Sequence, residues 1–129
     1  MDRIQAHKPP IIHGDGSQTR DFTYIQNVVQ ANIKSCFAPE SAFGKAHNIG
    51  CGDRISIKDL AMAIAKLTHS TAVPIYDPPR AGDVKDSLAD INLAKKNLDL
   101  TDFVSLQSGL ETTIDWYKKT NPQSTTSRA

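Results

Sequence analysis

The feature of this sequence that most constrains its fold is an alternation of very short apolar runs with longer segments in which apolar residues recur at helical spacing. Short β-branched or aromatic runs are typical of strands, and the longer periodicity is typical of helices. Strands that alternate with helices favour an α/β fold. We therefore predict a small mixed sheet of short strands covered by helices. The strands are few, so the sheet is expected to need a neighbour outside this sequence.

Four segments predict strands, and along the chain they are Ile11-Ile12, 21–25, 46–49 and 73–76. Pro74 indicates that the last of them is an edge strand or starts there. Helices are predicted after four residues that can accept a hydrogen bond at a helix N-terminus, namely Asn27, Ser56, Asp90 and Ser105. The first helix is expected to bury Val29, Ile33, Cys36 and Phe37. Ser56 and Asp59 resemble a capping box, and the apolar residues after them trace one helical face.

Both ends of the chain carry signals of their own. Residues 3–8 are typical of a last helical turn that Pro9-Pro10 stops, and a natural domain seldom begins in this way. We therefore expect Met1 to start a truncated fragment. Residues 123–129 form a polar tail that we expect to be disordered, so the domain is predicted to span residues 1–122.

Composition excludes several classes of protein. The 129 residues suit one domain, and a formal net charge of +1 lacks the basic field of nucleic-acid-binding proteins. No apolar run is long enough for a bilayer, and the N-terminus lacks the apolar core of a signal peptide. Two cysteines outside any zinc or redox spacing indicate reduced thiols in a cytoplasmic protein, with a disulfide as the alternative. Four scattered histidines indicate no metal site.

One glycine-containing segment invites a cofactor interpretation. Gly50-Cys51-Gly52 follows a predicted strand and precedes a helix, as the glycine-rich turn of dinucleotide-binding folds does. Ile55 stands where that turn has its third glycine. A tight strand-to-helix turn therefore explains the segment better.

Three charged residues near turns are candidates for binding an anion or a sugar. Arg20 follows a flexible polar loop, while Arg80 and Asp83 lie in a loop that Pro78-Pro79 stiffens and Gly82 allows to turn. A guanidinium suits a phosphate or a carboxylate, and a carboxylate suits the hydroxyls of a ribose. Taken alone, all three are better explained by surface ion pairs or by solvation.

The sequence offers no evident catalytic centre. Neither cysteine lies in a context that marks activation, and no serine lies in a nucleophile elbow. The tyrosines are followed at the fourth position by Val28, Arg80 and Asn121, so a Tyr-x-x-x-Lys pair for proton transfer is absent. The sequence therefore predicts binding groups without catalytic residues.

Five segments together resemble one family of enzymes. They are GDGSQTRDFTYI (14–25), HNIGCG (47–52), SIKDLAMAI (56–64), RAGDVKDSLADI (80–91) and SLQSGLETTIDWY (105–117). This order resembles the C-terminal part of nucleotide-sugar epimerases, in the extended short-chain dehydrogenase/reductase group and the NAD-dependent epimerase/dehydratase family. The resemblance runs from about Arg3 to Pro122 and is nearest to UDP-N-acetylglucosamine and UDP-glucose 4-epimerases.

The resemblance implies a division of roles between two parts of such an enzyme. An N-terminal Rossmann domain binds NAD, which takes a hydride from C4 of the sugar and returns it to the opposite face. A smaller C-terminal domain closes over the UDP-sugar. This chain resembles the second part only, so we expect weak UDP-sugar binding, no bound cofactor and no activity alone. A fragment of a related dehydratase, decarboxylase or reductase is the alternative, because the residues that choose the reaction lie mostly in the first part.

The same resemblance implies roles for five residues. Arg20 and Arg80 match arginines that contact the diphosphate, and Asp83 matches an aspartate that accepts from ribose hydroxyls. Ile11 and His13 fall where the family's chain passes the uracil, largely through backbone groups. The site is therefore expected to bind substrate and to contain no catalytic residue.

A non-catalytic interaction module is a further interpretation. A chain without its Rossmann domain would expose apolar surface. We expect such a chain to cover that surface by forming a homodimer, with exchange of an element between protomers as one form of it.

Overall fold

Short strands and helices alternate in the part of the chain that the computed structural model describes, residues 1–121. The helices are α1 (Asp2–Gln5), α2 (Ile25–Ser35), α3 (Ile57–Leu67), α4 (Asn92–Leu98) and α5 (Leu106–Thr120). The strands are β1 (Ile11–His13), β2 (Thr19–Arg20), β3 (Ile55–Ser56) and β4 (Ile75–Asp77). A short 3₁₀ helix, Glu40–Ala42, follows α2. The structure is α/β, as predicted.

The described strands pair in two separate sheets of two strands each. β1 and β4 are parallel, and their register places His13 beside Asp77. β2 and β3 are antiparallel, with Thr19 opposite Ser56. Parallel and antiparallel pairing thus both occur, as in the predicted mixed sheet, but in two separate small sheets.

The strand predictions are confirmed at β1 and β4 and fail between them. β1 forms at Ile11-Ile12, and β4 begins directly after Pro74. The strand predicted over 21–25 is wrong, because the pairing of β2 ends at Arg20 and Ile25 already starts α2. The alternation of polar and apolar residues there is too short to outweigh the start of a helix.

Side-chain hydrogen bonds replace a backbone ladder in the next region. The two carboxylate oxygens of Asp21 accept hydrogen bonds from the backbone N–H groups of Cys51 (2.9 Å) and Gly52 (3.1 Å). The strand predicted over 46–49 is also wrong, since no described strand lies beside that segment to pair with it. Asp21, in the first of these two segments, therefore binds the turn that directly follows the second.

The start of α2 differs from its prediction. Tyr24 is the N-cap residue, whereas the predicted cap, Asn27, lies inside the helix with 1 % of its surface exposed. Asn27 Nδ2 donates to the Val104 carbonyl at 3.0 Å, and its Oδ1 accepts from the Val104 N–H at 2.8 Å. A side-chain amide can do both because it carries a donor and an acceptor. Asn27 therefore joins α2 to the segment before α5.

The apolar face predicted for α2 is also wrong. Val29, Ile33 and Cys36 are exposed, and Phe37 is exposed by 84 %. The side of α2 that packs inward contributes Ala31, which contacts residues of α4. A small side chain permits this close approach between helices, so the larger apolar residues lie on the opposite side.

The three later helices confirm their predictions. Ser56 Oγ accepts the N–H of Asp59 at 3.0 Å at the start of α3, and Ser105 Oγ accepts the N–H of Ser108 at 3.2 Å at the start of α5. α4 forms where it is predicted, but its N-cap residue is Ile91 and not Asp90, whose Oδ1 accepts the Asn92 N–H at 3.0 Å from one position earlier. Capping by serine side chains thus fixes where α3 and α5 begin.

Two small clusters of buried residues form the core. One joins α2 and α4 through Ala31, Ala94, Leu98 and Leu100. The other joins α1, α3 and α5 through Ile4, Ile64 and Ile114. The helical turn predicted over residues 3–8 is present as α1, although it ends at Gln5.

Pro122 and the polar tail predicted over 123–129 lie outside the described residues. Among residues 1–121, no helix has the length and apolar character that crossing a lipid bilayer requires.

We expect Asn27→Ala to lower the free energy of unfolding by about 1–3 kcal/mol, because it leaves both backbone groups of Val104 without their partner. Asn32→Ala is the matched control. Asn32 is exposed in the same helix and bonds only to the Val28 carbonyl of its own helix. Urea unfolding measures both variants, and a change at Asn27 as small as that at Asn32 would contradict the role of the amide.

Candidate functional site

A surface cavity of about 640 Å³ opens where β1 and β4 end. The two strands are parallel and adjacent, so the loops that follow them leave the same edge. In α/β folds, ligands bind beyond the carboxyl ends of parallel strands. The residues that line this cavity are His13, Gly14, Asp15, Ser17, Gln18, Asp77, Pro79, Arg80, Asp83, Val84 and Lys85.

Three of the five predicted site residues line this cavity. His13 is the last residue of β1, and Arg80 and Asp83 belong to the loop after β4. Gly82 adopts a φ of +77°, which an L side chain seldom adopts, so the turn between Arg80 and Asp83 depends on glycine.

The fourth predicted residue, Arg20, reaches the cavity through Asp83. Its Nη2 atom forms an ion pair with Asp83 Oδ1, and its Nη1 donates to the Thr19 carbonyl at 2.7 Å. The sequence separation of Arg20 and Asp83 is 63 residues, and both side chains remain partly exposed. The structure thus brings together two residues that the sequence places in separate loops.

The fifth predicted residue, Ile11, does not line the cavity. It lies at the opposite end of β1 from His13, pairs with Ile75 and is 43 % exposed. The length of β1 separates it from the loops that form the cavity.

The cavity carries charges of both signs. Arg80 and Lys85 are its cationic residues, and Asp15, Asp77 and Asp83 are its carboxylates. A ligand that suits this lining has an anionic group for the cations and hydroxyl or amide donors for the carboxylates.

Sequence reasoning missed Lys85 and Asp77 as lining residues. Lys85 lies two residues beyond Asp83 in the same loop, and Asp77 directly precedes the two prolines. The signal for Asp77 was its position directly after the strand predicted over 73–76.

The turn after β1 is held by its own side chains. Gln18 Nε2 donates to the His13 carbonyl at 2.7 Å. The hydroxyl and the backbone N–H of Ser17 donate to Asp15 Oδ1 at 2.7 and 2.9 Å. Both bonds lower the pKa of Asp15 below its ordinary value, and the bond from the hydroxyl has the larger effect. Asp15 is therefore fully ionised at neutral pH and adds a fixed negative charge to the cavity.

A second cavity, of about 360 Å³, lies around Cys51 and the other side of Arg20. The Cys51 thiol donates to the Phe22 carbonyl at 3.2 Å, and burial raises its pKa. A thiol with a raised pKa is a poor nucleophile at neutral pH. Gly50-Cys51-Gly52 is accordingly a turn bound by Asp21, which agrees with the structural interpretation of that segment.

Curated relatives match this chain over most of its length. It is 32 % identical to the UDP-glucose 4-epimerase of Mycolicibacterium smegmatis, over 91 % of this chain and 37 % of that protein. It is 35 % identical to the UDP-glucuronate 4-epimerase of Thermodesulfobacterium geofontis, over 90 % and 35 % of the two chains. A UDP-N-acetyl-alpha-D-glucosaminuronate decarboxylase of Bacillus cytotoxicus is 32 % identical over 84 % of this chain and 35 % of its own. The chain therefore spans little more than a third of these relatives.

Solved structures of such enzymes share the fold. The UDP-glucose 4-epimerase of Thermotoga maritima, in complex with UDP-glucose, superposes with a TM-score of 0.85 at 33 % identity, over 92 % of this chain and 38 % of that one. The UDP-glucuronic acid 4-epimerase of Bacillus cereus, in complex with UDP-glucuronic acid and NAD, also gives 0.85, at 32 % identity over 92 % and 38 % of the chains. No family model matches the chain.

Fold and sequence together relate this chain to a class of enzymes that modify nucleotide-sugars. Within that class it is homologous to the UDP-sugar 4-epimerases and corresponds to a C-terminal part of them, as the resemblance of its motifs predicted.

Proposed function

We propose that residues 1–122 form the UDP-sugar-binding part of an NAD-dependent nucleotide-sugar 4-epimerase. The names of the relatives support a UDP-sugar as ligand, and the structure of the Bacillus cereus enzyme with NAD supports that cofactor for the whole enzyme. The cavity between the ends of β1 and β4 is of the size that small-ligand sites have, which is on the order of 300–1,000 Å³.

The observation that carries the proposal is that Arg80 and Asp83 line one cavity and that Arg20 forms an ion pair with Asp83 beside it. Two guanidinium groups can share the charge of a diphosphate through charge-assisted hydrogen bonds. The Asp83 carboxylate can accept hydrogen bonds from the hydroxyls of a ribose. Arg20 and Asp83 bind each other in the free chain, so the ligand exchanges their ion pair for its own contacts.

The uracil is proposed to lie at the end of β1. His13 lines the cavity there, and its carbonyl, which already accepts from Gln18, retains a second lone pair for the base. Ile11 was expected to share this role and lies two residues further from the cavity.

We propose that the chain is inactive alone. Its described cavity offers an arginine, a lysine, a histidine and carboxylates, and Cys51 is a weak nucleophile. Hydride transfer needs NAD and a proton-transfer pair, which we assign to the part of the relatives that this chain does not span. A nucleotide-sugar decarboxylase is the second candidate for the parent enzyme, because such a decarboxylase is 32 % identical to this chain.

A homodimer is proposed for the chain on its own. Val29 and Ile33 expose apolar side chains along α2, and Phe37 exposes one just after its end. Trp116 exposes another beside Ile25, at the groove between α5 and the start of α2. Contiguous apolar surface of this kind marks an interface. Exchange of an element between protomers is one form that the dimer can take.

A cytoplasmic location is proposed from the cysteines. Cys36 and Cys51 are both free thiols in the structure, which suits a reducing compartment.

Calorimetric titration with UDP and with pyrophosphate tests the site. We expect Arg80→Ala to weaken binding of both by about tenfold or more, the effect of losing one charge-assisted hydrogen bond. Asp83→Asn should weaken UDP binding alone, because pyrophosphate has no ribose and gains from the released Arg20. Lys96→Ala, which removes an exposed cation on α4, is the control for net charge. Equal losses for Arg80→Ala and Lys96→Ala would refute the assignment.

The purified chain should not interconvert UDP-glucose and UDP-galactose when NAD is added. Anion-exchange chromatography of the nucleotide-sugars measures this, with the Mycolicibacterium smegmatis enzyme as the positive control. Turnover by the chain alone would show that the proposal of inactivity is wrong.

Sedimentation equilibrium tests the dimer. Ile33→Asp should convert the dimer into a monomer that keeps its helical circular dichroism, because the side chain is already exposed in the folded chain. Asn32→Asp places the same charge one residue away and should leave the dimer intact. A wild-type chain that stays monomeric at high concentration would rule the dimer out.

A further inference from the structure

The loop between β4 and α4 carries two of the proposed ligand-binding residues and has almost no packing to hold it. Every residue from 78 to 88 is exposed, so no buried side chain fixes the position of Arg80 or Asp83. In a loop without buried side chains, only polar contacts can fix the conformation. The polar contacts of this loop therefore decide whether the cavity keeps its shape.

Backbone hydrogen bonds attach one end of this loop to β2. The Thr19 N–H donates to the Lys85 carbonyl at 2.8 Å, and the Ser87 N–H donates to the Thr19 carbonyl at 3.2 Å. Thr19 and Asp86 form a parallel bridge between them. Residues 85–87 thus lie beside β2 and are joined to it by this isolated bridge.

The side chain of Asp86 strengthens this attachment from two directions. Its Oδ1 accepts the hydroxyl of Thr19 at 2.7 Å and lies 3.5 Å from Nη1 of Arg54. Thr19 belongs to β2, and Arg54 directly precedes β3. One carboxylate oxygen therefore ties the loop to both strands of the sheet.

The other ion pair of the loop cannot serve in the same way once a ligand is bound. Arg20 and Asp83 contact each other, yet both are proposed to contact the diphosphate and the ribose. The contacts of Asp86 use none of the side chains proposed to bind the ligand, so they persist while the Arg20–Asp83 pair opens. We infer that Asp86 is the positioning residue of the site, holding the loop so that Arg80 and Asp83 face the bound nucleotide.

This inference rests on the proposed function, and UDP binding by the full chain tests it. Asp86→Ala should weaken UDP binding about three- to tenfold, the range that follows from losing the net contribution of one or two exposed polar contacts. Asp86→Asn keeps an oxygen that can accept from Thr19 and should restore part of the affinity. Asp115→Ala removes an exposed carboxylate from α5 and is the matched control.

A double-mutant cycle separates positioning from a general structural role. In a chain that already carries Arg80→Ala and Asp83→Asn, Asp86→Ala should cause no further loss of UDP binding, because the groups it positions are absent. The midpoint of thermal unfolding should stay close to that of the wild type, since the contacts of Asp86 are exposed. A further loss in that background, or unchanged UDP binding in Asp86→Ala alone, would overturn the inference.

Hydrogen–deuterium exchange gives a readout that needs no ligand. Backbone amides of residues 80–87 should exchange faster in Asp86→Ala than in the wild type or in Asp115→Ala. If the wild-type chain bound no UDP, the proposed function would fail, and exchange alone would decide the anchoring. Accelerated exchange confined to residues 80–87 would support it, and unchanged exchange would refute it.

Discussion

The parallel pairing of β1 with β4 is the constraint on which the site depends. Three residues on each strand suffice to place His13 beside Asp77, and both following loops then leave the same edge. Residues 14–74 separate the two strands in sequence, so their pairing, together with the contacts of β2 to Asp83 and to residues 85–87, brings the two loops together. The cavity exists because two chain segments without much packing of their own start from fixed neighbouring points.

Hydrogen bonds from polar side chains hold together segments that a larger apolar core would otherwise hold. Asp21 binds the turn at residues 50–52, Asn27 binds Val104, and Asp86, in the loop after β4, binds Thr19 of β2. Each joins segments that are distant in sequence, and each offers an oxygen to a donor in the other segment. The buried clusters are small, so these contacts define how the helices and loops are arranged.

Helices could be predicted from the sequence because their signals are local. Ser56 and Ser105 cap α3 and α5 where their positions indicated. The strands β2 and β3 could not be predicted, because each is two residues long and depends on a partner far along the chain. The buried side of α2 was missed because its packing rests on Ala31 and Asn27 instead of large apolar residues.

The candidate site was predictable in parts. Arg80 and Asp83 share one loop, so their proximity follows from spacing and from the turn at Gly82. The approach of Arg20 to Asp83 was suggested only by resemblance to known enzymes, because no local rule connects residues in separate loops. The role implied for Ile11 stays a prediction, and its strand position places it at the end of β1 away from the cavity.

The exposed apolar side of α2 has a thermodynamic consequence. A partner whose surface covers Val29, Ile33 and Phe37 binds the folded chain but not the unfolded chain, which lacks this arrangement of side chains. Such binding stabilises the folded state by mass action. The melting temperature of this chain then depends on the concentration of the partner that covers these side chains, and it rises as that concentration rises.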